Sequence, residues 1–276
     1  MKVYIQTDIE GVAGFCFQEN RANPGIESVQ HRYRMYKLLT DEVNAAVKAA
    51  FDEGADEVFV NDNHGRGYNI LFEDLDERCQ IIHGRNGSGP QWMAFLDETI
   101  DCMLQIGMHA MGATPCSIIP HSRWEVNDGE FYLSEGTMAA AVAGDLGVPS
   151  VMMSGDDKIC AEFREKIPDI EQVQTKRALS CYQACSLIPA RACKLIYEAA
   201  RRGIARRHEI KPFVVKGPVR LRLWDNASHV PPLSPLGETI ERPTITQAEK
   251  DYFPANKKSL PWYNGPSIDM DGFTFP

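Results

Sequence analysis

The stretch "KVYIQTDIEGVAG", residues 2–14, starts as a short apolar strand and ends in two acids, Asp8 and Glu10, with glycines at 11 and 14. Residues two apart in a strand project to the same face, so the two carboxylates meet where the strand stops. Like charges that close resist joint ionisation unless a cation lies between them. A solvated strand end with a glycine turn is the plainer reading of an isolated D-x-E. The rest of the chain decides between the two.

The same form recurs downstream, with strand and helix signals alternating. After Pro24-Gly25, a helical pattern runs from about Ser28 to Glu53, with Tyr33, Tyr36, Leu39, Val43, Val47 and Ala50 on one face and Gly54 as its stop. The apolar run Val58–Val60 then closes on "NDNHG", 61–65. A third strand, Gln80–Ile82, precedes a Gly- and Pro-containing stretch, and a short helix is expected around Trp92–Leu96. The run Met103–Ile106 ends in "GMHA", 107–110. In "SIIPHSRWEVNDGEFYLSEG", an Asn-Asp-Gly turn between two extended runs marks a hairpin. An alanine-rich helix over about 137–146, a strand over Ser150–Met153 that stops at "SGDD", and a helix from Pro189 to about Arg207 follow. The run V-R-L-R-L-W after Pro218 alternates as a strand with one wet face. Beyond Trp224 prolines multiply and periodicity fades. This order predicts an α/β fold: a three-layer α/β/α sandwich with a largely parallel mixed sheet and an inserted β-hairpin. Residues 1–276 read as one domain, with an irregular tail from about 254.

Composition narrows the function classes. The 276 residues are 43% hydrophobic and 24% charged, ordinary for a soluble globular protein. A formal net charge of −9 argues against nucleic acid as a partner, because phosphate contacts need clustered Lys and Arg. The runs Arg201-Arg202 and Arg206-Arg207 fit the outer face of a helix. No stretch is apolar enough for a membrane span, and no apolar h-region follows a basic start, which makes the cytoplasm the expected location. The eight cysteines are expected reduced, with Cys102, Cys160 and Cys193 as small core residues.

In open α/β sheets, sites form beyond the carboxyl ends of the strands. Those ends carry Asp8 and Glu10, then Asp62 and His64, then His109, and later Asp156 and Asp157. The hairpin carries His121 and leads to Glu135. Any one of these histidines alone is an ordinary structural residue, and His121 could equally pack against Trp124. Converging on one sheet edge, imidazoles and carboxylates suit a hard-to-borderline metal. Asp8, Glu10, His64, His109 and Glu135 exceed the three protein ligands of a single catalytic zinc. They suit two metals about 3.5–4 Å apart, with Asp8 as the bridge. Such a pair lowers the pKa of a bound water and polarises a carbonyl. Asp62, Asp156 and Asp157 are left either to recognise a substrate amine or to cap helices.

The set D-x-E-G at 8–11, N-D-x-H at 61–64, G-x-H-A at 107–110, H-S at 121–122 and the glutamate before Gly136 resembles the zinc-dependent D-aminopeptidase family. The order and spacing fit across roughly residues 1–215, including A-G-D at 143–145 and G-D-D at 155–157. The resemblance implies a two-zinc centre on Asp8, Glu10, His64, His109 and Glu135. It implies a catalytic role for His121 apart from the metals, as nucleophile, acid/base or oxyanion stabiliser. It also implies short peptides with an N-terminal D-alanine or other small D-residue as substrates, cleaved by zinc-activated water, and a ring-shaped homo-oligomer. The chain departs at residues 254–276, where Pro-rich and aromatic text stands in place of a closing helix. Two alternatives remain: a binuclear phosphoesterase, although position 10 is Glu where a D-x-H is usual, and a non-catalytic peptide-binding protein.

Overall fold

The computed structural model describes residues 1–16, 26–65, 67–84, 92–225 and 232–256. Strand β1 (Lys2–Thr7) is followed by the long helix α1 (Ile26–Asp52), β2 (Glu57–Asn61), the short β3 (Gln80–Ile82) and β4 (Cys102–Met108). The hairpin strands β5 (Arg123–Val126) and β6 (Phe131–Leu133) lead into α2 (Glu135–Asp145) and β7 (Ser150–Asp156). Next come α3 (Asp157–Lys166), β8 (Glu171–Ser180), β9 (Gln183–Ser186) and α4 (Pro189–Ala205). The described chain closes with β10 (Val219–Asp225), β11 (Ser234–Pro235), β12 (Ile240–Arg242) and α5 (Ile245–Ala255).

The main sheet has the order β3-β2-β1-β4-β7-β8-β9, parallel throughout except for the antiparallel edge strand β9. β1 lies inside it, paired to β2 on one side and β4 on the other. That position explains its apolar centre, Val3–Ile5, since a strand covered on both faces has no wet side. Val3 and Ile5 pack into the cluster containing Leu39, Val43 and Val47 of α1 and Ile196 and Ala200 of α4. Tyr4 packs the opposite way, with Met138 and Val142 of α2, Trp124 of β5, and Tyr252 of α5. Two cores on either side of one sheet give the expected layers.

The hairpin does not simply insert into this sheet. β5 and β6 join β10, β11 and β12 in a separate antiparallel sheet. Asn127, Asp128 and Gly129 all take positive φ at its turn, the conformation for which these residue types are favoured. In β10, Val219, Leu221 and Leu223 face inward and the intervening arginines outward, as its alternation predicts.

Several expectations are corrected. Residues 92–96 form turns rather than a helix: Phe95 has φ 63°, and one turn's worth of residues gives too few hydrogen bonds to offset nucleation. Tyr33 is 61% exposed, so the buried stripe of α1 runs instead through Met35, Leu39, Val43 and Val47. α2 starts earlier, at Glu135, because the Ser134 hydroxyl accepts from Thr137 N and caps it. α3, β8, β9, β12 and α5 emerge where no element is expected. α5 packs Tyr252 and Phe253 against Trp124, at ring-centroid distances of 5.1 and 5.9 Å. The expected irregular tail and His229 lie outside the described residues, apart from the end of α5. All eight cysteines are free, with Cys102 and Cys160 buried and Cys193 partly so. Among the described residues no helix is long and apolar enough to cross a membrane.

Candidate metal centre

Two glycines let the carboxyl ends of β1 and β4 touch. Gly11 N donates to Gly107 O at 2.8 Å, and a Cβ on Gly11 would lie 2.1 Å from Met108 O. Gly107 has φ +77°, and a Cβ there would lie 2.2 Å from Asp8 O. No L side chain fits either position without moving backbone. This close approach carries Asp8 to within reach of His109, two residues past Gly107.

The convergence expected from the strand ends follows. His64 Nδ1 lies 3.1 Å from Asp8 Oδ1 and 3.3 Å from Glu10 Oε2. His109 Nε2 lies 3.4 Å from Asp8 Oδ2 and 4.0 Å from Glu135 Oε2. The two oxygens of Asp8 therefore face different histidines. Glu135 arrives from the first turn of α2, and His121 from the segment leading into β5. His121 Nε2 is 3.7 Å from Glu135 Oε1, and its ring stacks on that of His109 with centroids 4.0 Å apart. Trp124 meets the aromatic rings of α5 edge-on.

The donor set fits a divalent cation. His109 Nδ1 binds Ala110 O at 2.8 Å, which directs Nε2 into the cluster as an acceptor. That Nε2 is buried without a hydrogen-bond partner, and the buried Glu10 Oε2 has an imidazole beside it, His64 Nδ1 at 3.3 Å. Buried acceptors in such a state are costly unless something with positive charge meets them. Two sets of potential ligand atoms lie within 4.8 Å of one another: Asp8, Glu10 and His109, and His109, His121 and Glu135. His121 thus joins the cluster as a neighbour of both His109 and Glu135.

Electrostatics report the strain of this crowding. Burial, then the neighbouring Glu10, pushes Asp8 up to about 6. Burial opposes ionisation of Glu10 too, but His64, with His121 and His109, holds it well below the usual carboxylate range. Burial works against protonation of His121. Glu135, Glu10 and Asp225 outweigh it and lift that group to about 9.

The surplus acids have other work. Asp62 accepts from Asn69 N, Ile70 N and Asn69 Nδ2, and so clamps its own loop. Asp156 caps α3 through Lys158 N and Ile159 N, and also holds Ser117 and Ile118. Asp157 accepts from Ala178 N and Lys158 Nζ. Each of the three already accepts two or more hydrogen bonds from its own surroundings. Of the remaining histidines, His83 contacts Tyr68 and Phe72 edge-on, while His31 and His208 are exposed.

Asp225 is a site neighbour that the sequence reading passed over. It ends β10 and accepts from Ser122 N at 3.2 Å, the residue after His121. An acid at the end of a strand is the same signal that marks Asp8, and it could have been read.

Comparisons with known proteins show the family and the fold. The family model Peptidase_M55, described as D-aminopeptidase, matches residues 1–255. A curated D-aminopeptidase of Bacillus subtilis (strain 168) is 30% identical over 219 residues, 77% of this chain and 77% of the relative. A solved structure described as "Zn-dependent D-aminopeptidase DppA from Bacillus subtilis, a self-compartmentalizing protease" aligns with a TM-score of 0.79 at 25% identity. That alignment covers 94% of this chain and 98% of the other.

Proposed function

This chain belongs to the Peptidase_M55 family of D-aminopeptidases, and we propose that it removes the N-terminal residue from short peptides that begin with D-alanine or another small D-residue, using two zinc ions per chain. The observation that carries the reading is the placement of Asp8, whose two oxygens face His64 and His109 separately. Asp8, Glu10 and His64 would hold one ion, and Asp8, His109 and Glu135 the other. Two ions bring more positive charge than three carboxylates bring negative, which relieves the repulsion between Asp8 and Glu10. Bound zinc supplies Lewis acidity, polarising a carbonyl and lowering the pKa of water.

The chain's own residues supply the rest. The bond from His121 Nδ1 to Ile119 O, at 2.9 Å, fixes the ring and leaves Nε2 on the side of Glu135. From there Nε2 donates a hydrogen bond to the developing oxyanion or a proton to the leaving amine. The distance from His121 to Glu135 favours one second reading, in which His121 is a further metal ligand. The self-compartmentalizing assembly of the similar Bacillus subtilis protein supports a homo-oligomer for this chain as well.

The test uses zinc-loaded protein on paired D- and L-alanyl dipeptides, each with a free and an N-acetylated amine. Cleavage confined to the free D-peptide is expected. Equal rates on acetylated and free peptides would point to a different amidase, and equal rates on D and L would remove the chirality assignment.

A further inference from the structure

The acidic turn at the end of β1 is held from behind by a buried lysine. Lys176 of β8 is 1% exposed. Its Nζ donates to Glu10 O at 2.6 Å and to Phe15 O at 2.7 Å, and it lies 5.6 Å from the Phe15 ring centroid. The two carbonyls flank the turn that follows the acids, so one ammonium joins its ends. The preceding residue contributes as well: Thr175 Oγ1 lies 2.5 Å from Gly11 O and 3.0 Å from Gly155 O, and its single proton is shared between the two carbonyls. On the other side, Glu42 of α1 accepts from Ala13 N at 2.8 Å.

The choice of a lysine here needs a reason. Among the described residues Lys176 makes no ion pair within 4 Å: its direct hydrogen-bond partners are the two carbonyls, and the buried Glu42 carboxyl acts on it only from farther away. A buried ammonium without a carboxylate partner is expensive. A neutral donor would join the same carbonyls at lower cost. What an ammonium adds is a second strong, short bond and a positive charge directly behind Glu10. Charge-assisted bonds are about twice as strong as neutral ones. Glu10 thus meets His64 from a main chain that cannot swing away.

We propose that Lys176 is a positioning residue for the metal centre: it fixes the main chain at Glu10 from the rear and so sets the zinc affinity of the ion that Glu10 holds. The proposal rests on the ligand assignment given under Proposed function. Removal of a group that orients a metal ligand commonly costs about 10–100-fold in affinity.

Lys176→Met keeps the length and apolar stem and removes the donors and the charge. The measurement is zinc affinity of the full chain by competition with a chromophoric chelator, with the visible spectrum of the cobalt(II)-substituted protein beside it. The zinc-free melting temperature is recorded for both proteins. The expected result is that one of two zinc equivalents binds about 10–100-fold more weakly and the cobalt spectrum changes for that equivalent. A Lys176→Met protein that melts earlier but binds both ions with wild-type affinity and spectrum makes Lys176 a core residue only, and overturns the proposal. A wild-type chain that binds no zinc would overturn the ligand assignment itself. If Lys176→Met does not fold, Lys176→Gln, which keeps an amide donor without the charge, is measured in the same way. Wild-type affinity in Lys176→Gln, or its failure to fold, counts against the proposal, and weakened binding of one ion supports it.

Discussion

His121 and its neighbours divide into groups whose loss has different signatures. His121 Nε2 stands 3.7 Å from Glu135 Oε1 with its other nitrogen tied to Ile119 O. As a proton carrier or oxyanion donor, it contributes to rate and not to zinc retention. His121→Ala should lower kcat by about 10²–10⁴-fold with zinc content unchanged. His64→Ala and His109→Ala should lose zinc along with activity, because each removes a donor within 3.4 Å of Asp8. Metal analysis beside steady-state kinetics separates the classes. Loss of zinc from His121→Ala would make it a ligand. Near-normal turnover would leave it structural.

Among the elements, α3 shows how a helix can support the site without contributing to it. Glu162 Oε1 accepts from Met111 N at 2.9 Å, two residues past His109, and Oε2 is buried. Burial pushes this carboxyl from 4.5 up to about 8. The folded pKa therefore lies above the unfolded one, and folding favours the protonated form. The residue costs no stability below about pH 4.5, costs progressively more as pH rises, and levels off above about pH 8. Glu162→Gln, neutral throughout and still able to accept from Met111, should raise the melting temperature at pH 8 and give no gain near pH 4. A gain of equal size at both pH values would contradict this origin.

The same scale shows what the sequence discloses and what it hides. β1, β2 and β4 were legible because strands buried on both faces read as apolar runs, and their ends were legible because acids and histidines interrupt those runs. α3 and β8 were missed for a physical reason. Their burial is supplied by neighbours far along the chain, and β8 interleaves Glu171, Gln172, Gln174, Lys176 and Arg177 with its apolar positions. Lys176 itself looks like any surface lysine until the fold encloses it. The partnership of β5 and β6 with β10 is likewise invisible locally, because about 100 residues separate Arg123 from Trp224 in a register that only the fold specifies.

At the scale of the whole molecule, the fold and the metal centre are separable. Two apolar cores, one under α1 and α4 and the other under α2 and α5, contain the bulk of the buried side chains and do not depend on the ligand cluster. Exhaustive chelation should therefore abolish peptidase activity while the far-ultraviolet circular dichroism persists and unfolding remains cooperative. Zinc should raise the melting temperature by linkage, about 2–4 °C for each kcal/mol of binding energy in a chain of this size. Collapse of the dichroism on chelation would make the metals part of the folding core. The central claim is that one carboxylate, Asp8, serves two zinc ions, and zinc per chain in purified wild type and Asp8→Ala tests it most directly. The account predicts two equivalents in the wild type and retention of neither, at ordinary affinity, in Asp8→Ala; an Asp8→Ala chain that keeps two tightly bound zinc ions would contradict it.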